Sequence, residues 1–137
     1  MGVIERLLKL LLHYTALLDK LDVDDLEDEY RYYAALHLLQ IQAQALIDIV
    51  TRATSILGLE AEGYIDAGYK LRQADILNDD GFKFYRRVVG FRNIAVHMYS
   101  EVNLDIVKEI IRDRRYRNVA KLGIKIVEEL RRRRADC

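Results

Sequence analysis

Residues 84–99 read FYRRVVGFRNIAVHMY, and the spacing inside this stretch decides what kind of fold the chain makes. Phe84, Val88, Phe91 and Ala95 recur at steps of four, three and four, which is the period of one buried helical face. The same stretch sets Arg92, Asn93, His97 and Tyr99 among apolar neighbours. On a regular helix Asn93 and His97 stand about 40° apart around the axis, Arg92 and Tyr99 about 20° apart on another stripe, and Arg92 and His97 about 140° apart. A straight helix therefore cannot aim all four at one small target. Either the helix ends or bends near His97, or a second copy of the chain brings its own Arg92 and His97 across a twofold axis.

Working outward, helical patterning continues in both directions. Apolar residues at helical spacing predict a first helix within 1–20, and after the acidic stretch DKLDVDDLEDEY a long second helix spans 24–57, capped by Asp24 or Asp25 and ended by Gly58. GLEAEGY is the clearest loop. A third helix is expected over 65–77, the fourth over 80–98 after a turn at NDDG, and the C-terminal helices over 103–134 with a break near Asp113. With no proline and only seven glycines in 137 residues, little interrupts the backbone hydrogen-bond ladder. The expectation is an all-α bundle of about five to six helices in one domain, since 137 residues support one core and not two.

Twenty-two basic and twenty-two acidic residues cancel, so no global field attracts nucleic acid. The distribution is uneven: seven acids face one base from Asp19 to Glu29, and eleven bases face four acids from Lys108 to Arg134. A single cysteine, Cys137, excludes an internal disulfide and predicts the cytoplasm. No segment reaches the roughly 18 uninterrupted apolar residues of a membrane span, and no membrane association is expected.

Histidine titrates near neutrality and serves as acid or base. An arginine fork holds phosphate oxygens and neutralises charge that develops in a transition state. Arg92 and His97 together suit cleavage of an RNA phosphodiester by its own 2'-hydroxyl, with Asn93 supporting the site and neither metal nor cofactor required. The competing account is ordinary helix chemistry, with Arg92 paired to a carboxylate and His97 packed at an interface. Asp48, on an apolar face of the second helix, is a buried-polar residue that bonds Arg92 or a backbone group. Arg86, Arg87, Lys108, Arg112, Arg114 and Arg115 are candidates for contacts to an RNA backbone. The acidic run 22–29 lacks the glycine turn of a calcium loop, and His13 and His37 lack ligand partners at zinc spacing. No metal site is expected.

RNIAVHMY resembles the Arg-x4-His-x-Tyr motif of the HepT-like toxins of the HEPN superfamily. LQIQAQALIDIV, residues 39–50, is similar to the second long helix of that family, and the order of helices agrees from about Tyr30 to Val127. The resemblance implies a homodimeric HEPN-type helical bundle that cuts RNA without metal, with Arg92 and His97 catalytic in the dimer cleft. It implies a nucleotidyltransferase antitoxin of the MNT type as partner, which adenylylates Tyr99 and blocks the cleft by bulk and charge. The alternatives are a non-catalytic helical dimer serving as substrate-binding or scaffold partner of a nucleotidyltransferase, and a plain structural dimer. Where many relatives carry an acid between the histidine and the tyrosine, this chain has Met98.

Overall fold

The computed structural model describes residues 2–97 and 102–135. Among them the chain forms six α-helices, α1 (Gly2–Leu18), α2 (Glu29–Ile56), α3 (Tyr64–Gln73), α4 (Asp79–His97), α5 (Leu104–Arg112) and α6 (Tyr116–Ala135), with a short 3-10 helix at Val23–Glu27. No strand occurs among the described residues. The architecture is all-helical.

The long helix α2 is the centre, touching α1, α3, α4, α6 and the 3-10 turn. It is long and apolar enough to cross a membrane, with a mean hydropathy of 1.2 in its best window, yet 56% of that window is buried in the bundle. Ala43, Leu46, Ile47, Val50 and Ala53 of α2 meet Ile4, Leu8 and Leu11 of α1 and Ile126, Val127 and Leu130 of α6 in the larger core. A second core at the other end gathers Leu18, Leu36, Leu39, Ala95, Val107, Ile111 and Tyr116. Burying each such side chain contributes roughly 1.5–3 kcal/mol, so the fold rests on the apolar faces of α2 that α1, α3, α4 and α6 cover.

Buried Gln42 donates from Nε2 to Thr15 Oγ1 and to the Tyr116 carbonyl, both at 2.9 Å. This joins α1, α2 and α6 through one amide. Thr15 in turn donates to the Leu11 carbonyl at 2.7 Å, so the buried polar groups satisfy one another.

Two boundaries differ from the sequence expectation, each for a local reason. Residues 24–27, expected at the start of the second helix, belong instead to the separate 3-10 turn Val23–Glu27, and α2 starts at Glu29 after Asp28. Asp25 accepts the Asp22 backbone N–H at 2.8 Å and pairs with Arg31 at 2.9 Å, so this carboxylate serves the turn and not the long helix. The third helix, expected to reach Leu77, ends at Gln73. Asp75 adopts φ 62°, and the reversal lets the Ile76 N–H bond the Leu71 carbonyl at 2.9 Å while buried Ile76 and Leu77 tuck into the core.

Candidate active site

Helix α4 runs unbroken from Asp79 to His97, and its sides have different surroundings. Tyr85, Val88, Val89 and Ala95 are buried, whereas Phe84 and Phe91 are half-buried. The two phenylalanines line an apolar groove of about 260 Å³ with Leu39, Ala43, Ile106 and Ile110. Tyr85 is 0% exposed and donates its hydroxyl to the Tyr64 carbonyl at 2.8 Å; burial pushes its phenol well above the ordinary range. This locks α4 to the start of α3. The approach requires Gly68, because a Cβ there would lie 2.5 Å from Tyr85 Cδ2.

That lock brings Tyr64 against Arg92, with the guanidinium carbon 5.5 Å from the ring centroid. Arg92 Nε donates to Gln44 Oε1 at 2.8 Å, and Arg92 Nη1 donates to Asn93 Oδ1 at 3.1 Å. Gln44 then donates from Nε2 to Asp48 Oδ1 at 2.9 Å. Asp48 thus reaches Arg92 through an amide relay rather than by direct pairing. The relay fixes the amide's orientation, because only its oxygen can accept from an arginine and only its nitrogen can donate to a carboxylate. Arg92 is half-buried and forms no ion pair with any described carboxylate. Both Nη2 protons and one on Nη1 are uncommitted among the described residues.

His97 is exposed at the end of α4 and makes no hydrogen bond or ion pair with another described residue. Because α4 is regular through His97, the separation of about 140° from Arg92 applies. One chain does not bring the two together. Asn93 is exposed and engaged with Arg92. Tyr99 and Met98 lie outside the described residues.

The remaining basic candidates divide into two groups. Lys108 pairs with Glu27 at 3.5 Å, Arg114 with Asp19 at 3.4 Å, and Arg115 with Asp113 at 3.5 Å and Glu109 at 3.8 Å. Arg86 and Arg87 lie over Phe82 and Phe84, with guanidinium carbons 5.9 and 5.8 Å from the centroids, and pair with no described acid. Arg112 is exposed, likewise without a described ion pair. Asp19 gathers the Tyr116 hydroxyl at 2.6 Å and Arg117 at 3.0 Å besides Arg114. The Tyr116 hydrogen bond is the largest influence and holds its carboxyl below the ordinary range; burial opposes it, and Arg117 and Arg114 lower the carboxyl further. His13 and His37 are exposed, and no cluster of three potential metal ligands occurs among the described residues.

The model of the ribonuclease HepT-like family matches residues 4–122. The chain belongs to the HepT-like ribonuclease family. No curated protein matches the chain. Among solved structures it is similar to YutE, a cytosolic protein of unknown function from Bacillus subtilis, with a TM-score of 0.79 and 15% identity over 94% of this chain and 89% of that one. It is also similar to a toxin-antitoxin solved with AMP-PNP, with a TM-score of 0.75 and 19% identity over 94% of this chain and 99% of that one. These similarities establish a shared fold. The HepT-like match spans α4 and the Arg92–His97 spacing together with Gln44 and Tyr64; that these two hold Arg92 carries no sequence signal, because they come from two other helices.

Proposed function

We propose that this HepT-like protein is a metal-independent endoribonuclease, the toxin of a toxin-antitoxin pair, acting in the cytoplasm as a homodimer. The observation that carries the reading is Arg92. A half-buried guanidinium held by Gln44, Asn93 and Tyr64, with no described carboxylate to neutralise it, is preorganised for an anion that arrives from outside. In a family of ribonucleases that anion is a phosphodiester.

The chemistry needs one base and one acid. The His97 imidazole takes the proton of the 2'-hydroxyl, O2' attacks phosphorus, and Arg92 neutralises the charge on the equatorial oxygens. The bond from phosphorus to O5' breaks, and the leaving oxygen takes that proton from the same imidazolium, which returns to the neutral base. The products are a 2',3'-cyclic phosphate and a 5'-hydroxyl. A twofold pair of α4 helices sets Arg92 of one copy beside His97 of the other and resolves their divergence within one chain. Silencing follows from adenylylation of Tyr99 by a nucleotidyltransferase antitoxin: the tyrosine oxygen attacks the α-phosphorus of a nucleoside triphosphate, and pyrophosphate leaves. The added phosphate carries negative charge, which opposes an approaching substrate phosphate.

The test is cleavage of an RNA oligonucleotide in EDTA by the wild-type protein, Arg92→Ala and His97→Ala. Cutting that resists EDTA and is lost in both variants supports the reading; equal residual cutting in all three sinks it. The divergence of Arg92 and His97 favours one other reading, a silent dimer that acts as scaffold for a nucleotidyltransferase. That reading predicts a tight complex with the transferase and no RNA cleavage. Intact mass after co-expression with a nucleotidyltransferase antitoxin tests the modification, which fails if no adenylyl increment maps to Tyr99.

A further inference from the structure

The solvent face of α4 holds a basic strip that neither the fold nor the paired charges of the molecule account for. From Gly81 to His97 the helix carries Lys83, Arg86, Arg87 and Arg92 and no acidic residue. Lys83, Arg86, Arg87, Gly90 and His97 are exposed, and the other four fall within about 60° of Gly90 around the axis. Arg92 faces nearly the opposite way. Lys83, Arg86 and Arg87 form no ion pair with a described carboxylate, unlike Lys108, Arg114, Arg115 and Arg117, which are paired. Phe82 and Phe84 lie beneath the two guanidinium groups, which restrains those side chains without neutralising them.

Gly90 adds a second, independent observation. A mid-helix glycine is conformationally unfavourable, and here no crowding within the chain explains it: a Cβ at this position would meet nothing within 4 Å. The bare backbone lies between the arginines and the histidine, where an approaching ligand would otherwise meet a side chain. We propose that this strip is a track for a single-stranded RNA backbone. Phosphates contact Lys83, Arg86 and Arg87, the strand passes closest to the helix at Gly90, and the scissile linkage is delivered to His97. From Arg87 to His97 the strip is about 15 Å long at 1.5 Å per residue, so it holds a few nucleotides. Charge complementarity favours this occupant over a second copy of the same face, because two copies of an acid-free basic strip repel.

The track deepens the ribonuclease reading, and its test is chosen so that the two fail separately. The protein in the His97→Ala background, which leaves RNA uncut, is titrated with a fluorescent single-stranded RNA oligonucleotide at several salt concentrations. Adding Lys83→Gln, Arg86→Gln and Arg87→Gln together is expected to weaken binding at least tenfold and to flatten the dependence of log affinity on log salt by about 2, at about 0.7 per lost phosphate contact. Removing the same charge from exposed Lys9, Lys121 and Lys125 on α1 and α6 is expected to change affinity less than twofold. Gly90→Leu is expected to raise thermal stability while weakening RNA binding, a combination that a merely structural role does not give.

Equal losses from the two charge triples, or no RNA binding by the parent, overturn the track. If Gly90→Leu and the α4 triple shift the mass measured by light scattering while leaving RNA affinity unchanged, the strip is an interface between copies and the proposal is wrong. RNA binding that depends on the strip, in a protein whose wild-type form does not cut, upholds the track and refutes the nuclease. Cutting by a protein that keeps His97 and carries the α4 triple, with RNA affinity unaltered by the triple, does the reverse.

Discussion

At the scale of the residue, Arg92 is held by groups that leave its outer edge uncommitted. Gln44 binds Nε, Asp48 orients Gln44, Asn93 binds Nη1 and Tyr64 covers a face. Gln44→Leu keeps the bulk and removes the acceptor, so it is expected to lower kcat for RNA cleavage about tenfold with little change in KM, the pattern of a lost transition-state orientation; single-turnover kinetics beside melting curves checks this. Gly68→Ala forces a Cβ to 2.5 Å from the Tyr85 ring and is expected to cost about 1–3 kcal/mol in urea denaturation. The sequence made the angular relation of Arg92 and His97 legible because both lie on one helix, whose period is fixed. It did not show Gln44, which lies 48 positions away, nor the relay that replaces a direct bond from Asp48. Contacts between helices depend on crossing geometry that no single helical period contains.

At the scale of the element, order was legible from apolar periodicity, and ends were misread where polar side chains took unexpected tasks. Asp25 serves the 3-10 turn, and the left-handed Asp75 ends α3 before the apolar pattern stops. The same acidic region ties the helices together: Asp19, just past α1, receives the Tyr116 hydroxyl and Arg117 from α6 and Arg114 from the preceding turn. Its pKa is depressed in the folded state, so its stabilisation is present above the unfolded value of about 3.9 and is lost as pH falls through the folded value. Asp19→Asn is therefore expected to be less stable than wild type at neutral pH, with the difference vanishing in acid; urea midpoints from pH 7 downward check the sign, and a gap that widens on acidification contradicts it. Gln42→Leu removes the donor shared by Thr15 and the Tyr116 carbonyl and is expected to cost about 1–3 kcal/mol in the same assay.

At the scale of the whole molecule, the zero net charge conceals an internal arrangement. Much of the basic C-terminal region neutralises acids of the same chain: Lys108 meets Glu27, Arg117 meets Asp19, and Arg131 meets Glu5 at 3.3 Å. The sequence registered the charge surplus there but not its partners, which stand far away in the chain. The α4 surface carries Lys83, Arg86, Arg87 and Arg92 with no acid from Gly81 to His97, and one copy of that helix points Arg92 and His97 in different directions. Two copies are therefore required to build one site. Subunit complementation tests this most directly: Arg92→Ala and His97→Ala proteins are prepared separately, unfolded, mixed and refolded together, and RNA cleavage is measured in EDTA. Each variant alone is expected to be inactive, and the mixture is expected to regain cutting, because a mixed dimer unites the intact arginine of one subunit with the intact histidine of the other. A mixture as inactive as its parents, under conditions where refolded wild type cuts and mixed dimers are detected by mass, would contradict the shared site.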